Sequence, residues 1–155
     1  PKSILCKNGK LTDEEFLVMK SHPVRGEKIV INIKKLQKIS EWVKAHHEKW
    51  DGNGYPDGLK GEEIPLAGRI IALADTYDAM TSTRPYRTAL SHETAVSEIR
   101  RCSGTQFDPN LAEILVHVAY KIDAARRNPE EYYKEYSLLG KNVDFKISSE
   151  AAEHV

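Results

Sequence analysis

The chain has 155 residues, 40% of them hydrophobic and 30% charged, and its 23 basic and 23 acidic side chains cancel. This length fits one domain or a part of one, and zero net charge argues against a protein that binds polymeric nucleic acid or an anionic membrane mainly through charge. No apolar run approaches the roughly 18 residues of a membrane span, and residues 1–5 lack a signal-peptide pattern. We expect a cytoplasmic chain without a membrane segment, and the opening proline indicates a piece of something longer.

Capping and proline signals predict two short helices near the start. Thr12 and Glu15 form a capping box ahead of an apolar run, which predicts a helix over residues 13–20. His22 precedes Pro23, and a residue before proline is pushed out of the helical region, so His22 should lie at a bend with a second helix beginning near Pro23. The predicted inner face of the second helix consists of Ile29, Val30 and Ile33.

The middle of the chain predicts two helices separated by a long loop. Apolar residues at helical spacing predict a third helix over residues 35–49 and the strongest helix over residues 66–80. Residues 50–65 contain four glycines and two prolines, which exclude a regular helix or a central strand. The predicted inner stripe of the strongest helix consists of Leu66, Ile70, Leu73, Ala74 and Tyr77.

Two further helices are predicted near the end of the chain. Ser91 is an N-cap candidate for a helix ending near residue 101, and Asp108 followed by proline begins a helix that should reach about residue 126. A short polar helix opens at residue 128, and residues 137–155 have weak patterning. Because alternating strand patterns are almost absent, the predicted fold class is all-α, a multi-helix bundle.

Histidines and a carboxylate outline a candidate metal site. His46 and His47 end the third predicted helix, His22 precedes them, and Asp75 lies on the strongest helix. Imidazole and carboxylate suit zinc, iron and manganese, and bundles build such sites from facing helices. Neighbouring side chains on a helix point about 100° apart, so His46 and His47 should serve two ions rather than one. Asp75 follows an apolar stretch, and a buried carboxylate there would need a metal or another partner. Taken singly, each histidine is more often an ordinary core or surface residue.

The segments beside these residues offer groups that suit a phosphate substrate. Arg84 and Arg87 follow the strongest helix, and guanidinium groups match phosphate oxygens bidentately. The alternative is that they are solvated or cap helix ends. Trp50 and Tyr55 offer aromatic faces on which a base could stack, although the loop that carries them could simply be a turn-rich connection.

Six ordered blocks of residues resemble the HD-GYP branch of the HD-superfamily phosphohydrolases. The blocks extend over roughly residues 1–120, and together they are far more specific than any one motif. They are Lys10-Leu11-Thr12, Met19-Lys20-Ser21-His22-Pro23, His46-His47-Glu48, Asp51-Gly52-Asn53-Gly54-Tyr55-Pro56, Ala74-Asp75-Thr76-Tyr77-Asp78-Ala79-Met80 and Arg84-Pro85-Tyr86-Arg87.

The resemblance implies an all-α domain over residues 1–136 that lacks its N-terminal part, followed by a tail over residues 137–155. Such a domain hydrolyses the bacterial second messenger cyclic di-GMP with two or three divalent ions, iron or manganese, and an upstream receiver or sensor domain is a frequent partner. No catalytic side chain is implied beyond the metal-bound water. By position, the implied metal ligands are His22, His46, His47 and Asp75, and the implied substrate-binding residues are Tyr55, Arg84 and Arg87.

One departure from the family pattern concerns the His-Asp dyad. No histidine of this chain is followed by aspartate, so the dyad would have to come from residues before Pro1. We therefore expect weak metal binding and weak or absent turnover by this chain. The alternative hypothesis is a non-catalytic module that senses cyclic di-GMP or binds a partner protein, and a hydrolase of another nucleotide is a further one.

Overall fold

The computed structural model describes residues 2–5, 7, 9–83, 88–130, 132 and 134. Within these ranges the regular elements are helices without strands, which confirms the all-α prediction. The chain divides into two compact units after His117, and the predicted boundary at residue 136 lies outside the described residues, as do Arg84 and Arg87. The α-helices are α1 Lys2–Leu5, α2 Asp13–Lys20, α3 His22–Val30, α4 Ser40–Ala45, α5 Leu66–Thr81, α6 His92–Arg101 and α7 Pro109–Arg127.

The predicted capping box begins α2. The Thr12 hydroxyl accepts a hydrogen bond from the Glu15 amide at 3.3 Å, and the Glu15 carboxylate accepts one from the Thr12 amide at 2.8 Å. The helix ends at Lys20 and α3 begins at His22, with Pro23 in its first turn, so both predicted helices are confirmed.

The inner face predicted for α3 is wrong. The side chains of Ile29 and Ile33 are 68% and 47% exposed, whereas Pro23 is buried. A Cβ atom built on Gly26 would lie 2.8 Å from the Val43 side chain, and positions 23 and 26 lie on one helical face. Helix α3 therefore approaches α4 through Gly26, and of the three predicted inner residues only Val30 is half-buried.

The third predicted helix is shorter than expected at its C-terminal end. Residues Lys34–Ile39 form a 3-10 helix, α4 follows over only six residues, and His46 is its C-cap. The buried Ala45 lies against α5, because a Cβ atom built on Gly68 would stand 3.1 Å from the Ala45 Cβ. The prediction that the helix continues to residue 49 is wrong, and His46 and His47 lie just beyond its end.

Helix α5 forms as predicted, with a different buried face. Leu73 and Tyr77 are buried as expected, but Leu66 is 54% and Ile70 48% exposed. The N-terminal half of α5 approaches α4 through the small Gly68, and the C-terminal half meets α6, where the Tyr77 hydroxyl lies 2.7 Å from His92 Nδ1. Helix α5 therefore packs on α4 with one face and on α6 with another, instead of burying one apolar stripe as predicted.

Capping also fixes the start of α6 and of α7. The Ser91 hydroxyl accepts the Thr94 amide at 3.2 Å, and the Asp108 carboxylate accepts the Asn110 amide at 2.9 Å. The other Asp108 oxygen accepts a hydrogen bond from the Arg69 guanidinium at 2.7 Å. Both predicted starts are confirmed, and the short helix predicted from residue 128 is helical at its described residues 129, 130, 132 and 134. Within the described ranges, no helix combines the length and apolar character needed to cross a membrane.

Candidate metal and substrate site

Three histidine side chains converge at the junction of α2, α3 and α4. His22 Nε2 lies 3.2 Å from His46 Nε2 and 3.0 Å from His47 Nε2. In the part of the chain that the structure describes, these residues form the one cluster of three potential ligand groups whose atoms all lie within 4.8 Å of one another. His22 is exposed and the other two are half-buried, so the cluster opens to solvent.

The local backbone brings the three rings together. His22 is the first residue of α3, directly after the bend at Ser21, and His46 and His47 follow the last turn of α4. Their ring centres lie 4.1 Å apart with the planes inclined by 40°. The prediction that these rings point about 100° apart is wrong, because it assumed a helix that continues through both residues.

Main-chain carbonyls hold the second nitrogen of two of these rings. His22 Nδ1 lies 2.7 Å from the Met19 carbonyl oxygen, and His46 Nδ1 lies 2.6 Å from that of Val43. A carbonyl only accepts, so each Nδ1 carries the proton, and in a neutral ring Nε2 then presents a lone pair. Two lone pairs 3.2 Å apart cannot hydrogen-bond to each other, whereas both can coordinate a cation. The donor set therefore fits a divalent metal ion.

Burial keeps the third histidine neutral. Burial, together with the positive charges that His46 and His22 would carry, lowers the pKa of His47 to about 4, while Asp75 acts in the opposite direction. At neutral pH the His47 ring is therefore uncharged and can act as a metal ligand.

Asp75 lies at the edge of the cluster rather than inside it. Its carboxylate acts electrostatically on His47 and on Tyr55, but its oxygens are not within the 4.8 Å group. The residue is exposed, so the argument that it must be compensated for burial is wrong. Asp78, one turn later, accepts a hydrogen bond from the Ser82 hydroxyl at 3.0 Å, a local contact near the end of the helix.

The Tyr55 side chain lies beside the histidine cluster. Its ring stacks on His47 with centres 4.9 Å apart and planes inclined by 28°, and its amide donates to the His47 carbonyl at 3.1 Å. Burial raises the pKa of the Tyr55 phenol, and the charge of Asp75 raises it further. The phenol therefore keeps its proton at neutral pH and can donate a hydrogen bond to an anionic ligand.

Glu48 holds this loop in place, a role that its sequence position did not predict. The residue is only 3% exposed, and its two carboxylate oxygens accept the amides of Asp57 at 2.7 Å and Leu59 at 3.1 Å. Lys44 also reaches Asp57, at 2.7 Å. An acidic residue directly after two histidines was the available signal, but its burial and its acceptance of main-chain amides nine and eleven residues later are visible only in the fold.

Trp50 faces another part of the molecule. The Arg69 guanidinium lies 5.7 Å from the centre of its ring, and the Trp50 amide donates to the Gln106 carbonyl at 3.2 Å. These contacts connect the loop to α5 and to the segment before α7. Of the two aromatic residues considered for base stacking, Tyr55 is the one in contact with the histidine cluster.

Comparisons with known proteins show the family of this chain. Residues 1–111 match the HD domain family. A protein named cyclic di-GMP phosphodiesterase of Vibrio cholerae is 47% identical over 131 residues, which are 80% of this chain and 27% of the relative. One of the same name from Thermotoga maritima is 44% identical over 134 residues, 84% of this chain and 36% of the relative. The chain thus spans about a third of the length of these relatives or less.

A solved structure supports the fold. The crystal structure of a cyclic GMP-AMP-specific phosphodiesterase of Vibrio cholerae superposes with a TM-score of 0.54, covering 81% of this chain and 32% of that one. The two sequences are 22% identical over the superposed part. At that identity the likeness establishes a shared all-α architecture.

Proposed function

The chain belongs to the HD domain family, and on that premise we propose that it is a metal-dependent phosphodiester hydrolase domain acting on cyclic di-GMP. The observation that carries the proposal is the convergence of the Nε2 atoms of His22, His46 and His47. The names of the relatives from Vibrio cholerae and Thermotoga maritima support the choice of substrate.

The proposed metal ligands are these three histidines together with Asp75. A divalent ion held there supplies Lewis acidity and lowers the pKa of water, which provides a nucleophile at neutral pH. The nitrogen and oxygen donor set suits iron or manganese, which we propose as the metal. Met19 and Val43 orient two of the rings through their carbonyl oxygens, so their ring nitrogens are set before any ion arrives.

The remaining side chains bind and orient the nucleotide. Tyr55 offers a protonated hydroxyl and an aromatic face next to His47. Arg84 and Arg87 are proposed to hold the scissile phosphate and to offset the charge on its non-bridging oxygens. The proposal includes a cytoplasmic location and a receiver or sensor domain as regulatory partner.

The test is cleavage of cyclic di-GMP under single-turnover conditions. No histidine of this chain is followed by aspartate, and the described residues supply only three convergent nitrogens and a carboxylate at their edge. We therefore expect slow cleavage, and an excess of protein over nucleotide makes this rate measurable. Manganese-loaded or anaerobically iron-loaded protein should produce a linear dinucleotide or GMP, and a chelator should abolish the product. Binding of cyclic di-GMP without any product would instead identify a sensing module, and faster cleavage of 3′3′-cyclic GMP-AMP would overturn the assigned base preference.

A further inference from the structure

Lys20 places a positive charge beside the candidate site. It is the last residue of α2, and its ammonium nitrogen lies 4.9 Å from the centre of the Phe16 ring and 5.3 Å from the centre of the Tyr55 ring. The side chain is half-buried. Both rings attract the ammonium group through cation–π contacts, and this attraction keeps it beside Tyr55.

No carboxylate neutralises this ammonium group among the described residues. Lys7 pairs with Glu15 and Lys44 with Asp57, but no acidic oxygen of the described chain lies within 4.0 Å of the Lys20 ammonium. A half-buried cation that rests on two rings can still attract an anion that enters from solvent.

The Tyr55 ring connects Lys20 to the histidine cluster. Lys20 lies against this ring, and His47 stacks on it with centres 4.9 Å apart. The Lys20 ammonium and the His47 ring therefore both contact the Tyr55 ring. That position is close to the candidate metal site without being part of it.

We propose that Lys20 binds the second, non-scissile phosphate of a cyclic dinucleotide whose scissile phosphate lies at the histidine cluster. This inference rests on the proposed function. A cyclic dinucleotide carries two phosphodiester groups on one ring, so a site that holds one at the metal must accommodate the negative charge of the other. Lys20 supplies a matching positive charge beside the Tyr55 ring, and this makes it a specificity residue for two-phosphate substrates.

The experiment compares a substrate with two phosphates and one with a single phosphate. The variants are Lys20→Met, which keeps the apolar stem and removes the charge, and Lys20→Arg, which keeps the charge. Lys28→Met, on the exposed surface of α3, controls for the change in net charge. Single-turnover rates against protein concentration give the half-saturating concentration and the maximal rate for cyclic di-GMP and for bis(p-nitrophenyl) phosphate.

For Lys20→Met we expect a half-saturating concentration about tenfold higher for cyclic di-GMP, as for the loss of one charge-assisted contact. The maximal rate of Lys20→Met with cyclic di-GMP should not change. Its half-saturating concentration and maximal rate with bis(p-nitrophenyl) phosphate should not change either. Lys20→Arg should restore most of the loss, and Lys28→Met should match the unmodified chain.

The outcomes separate the two proposals. Equal half-saturation of the unmodified chain and Lys20→Met by cyclic di-GMP overturns the role of Lys20 and leaves the proposed function standing. Parallel losses on both substrates overturn it too, because they indicate a structural effect on the shared site. Absence of cyclic di-GMP cleavage by the unmodified chain overturns the proposed function, and the inference with it.

Discussion

Gly54 packs directly against the main chain of Glu48. A Cβ atom at position 54 would lie 2.5 Å from the Glu48 Cα and 2.3 Å from the Lys49 amide nitrogen, closer than real Cβ contacts allow. Since the Glu48 carboxylate also accepts the amides of Asp57 and Leu59, Glu48 contacts the loop on both sides of Tyr55, through its main chain before this residue and through its side chain after it. This double attachment sets the position of the Tyr55 ring on His47.

The Gly54→Ala substitution should destabilise the protein and displace Tyr55. The added methyl meets main-chain atoms that cannot move aside like a side chain, so we expect a loss of about 3 kcal/mol in the free energy of unfolding, at the upper end for overpacking. Urea titration followed by circular dichroism measures the loss. Gly61 has a positive φ and open space around it, so Gly61→Ala should cost only about 1 kcal/mol. Equal effects of the two substitutions would refute the close-contact explanation.

Replacing Glu48 by glutamine tests whether the carboxylate holds the loop. An amide has one acceptor oxygen where the carboxylate has two, so one main-chain amide loses its buried partner at a cost of about 1–3 kcal/mol. Cyclic di-GMP cleavage should fall while the metal content stays that of the unmodified chain. The exposed Glu62 provides the control, and Glu62→Gln should change neither quantity. Full activity and stability in Glu48→Gln would contradict the role assigned to this residue.

Asp75 and Asp78 lie on the same helix and make a matched pair. Asp75 acts on His47 and Tyr55, whereas Asp78 accepts a hydrogen bond from Ser82. We expect Asp75→Asn to weaken manganese binding by about tenfold or more, the usual effect of changing a group that ligates or supports a metal, and Asp78→Asn to leave it unchanged. Calorimetric titration with manganese distinguishes them. Unchanged affinity in Asp75→Asn would exclude this carboxylate from the metal site.

The Arg69–Asp108 ion pair should be important for stability. Its side chains are 15% and 5% exposed and joined at 2.7 Å, and Asp108 also caps α7. Asparagine caps as well as aspartate, so Asp108→Asn isolates the loss of the pair and should cost about 3 kcal/mol because a mostly buried guanidinium loses its counter-charge. Thermal melts measure the effect. Glu98→Gln, which breaks an exposed pair with Arg101, should leave the melting temperature unchanged.

Local signals in the sequence predicted the helix starts well. The caps at Thr12, Ser91 and Asp108 act within three or four residues of chain, and each begins its helix as expected. The apolar pattern was less informative about burial. Ile29 and Ile70 are exposed because α3 and α5 approach α4 through Gly26 and Gly68, and helical periodicity marks large apolar residues rather than small ones.

The candidate site was predictable in its residues and not in its geometry. The residue types identified His22, His46 and His47 as potential ligands, and the structure brings their rings together. Their mutual orientation was mispredicted because α4 ends at Ala45, where the chain packs on Gly68 of α5. The main-chain partners of Glu48 lie nine and eleven residues away, a separation that no short motif encodes.

The metal content of the purified chain tests the central claim most directly. Protein loaded without oxygen or chelator with an excess of iron or manganese should bind about one or more ions per chain by elemental mass spectrometry, held weakly by neutral imidazole nitrogens. His46→Gln and His47→Gln should lose this metal, and His117→Gln, at an exposed position of α7, should retain it. A folded, metal-free unmodified chain, or metal retained in His46→Gln and His47→Gln, would contradict the assignment of these histidines as the metal site.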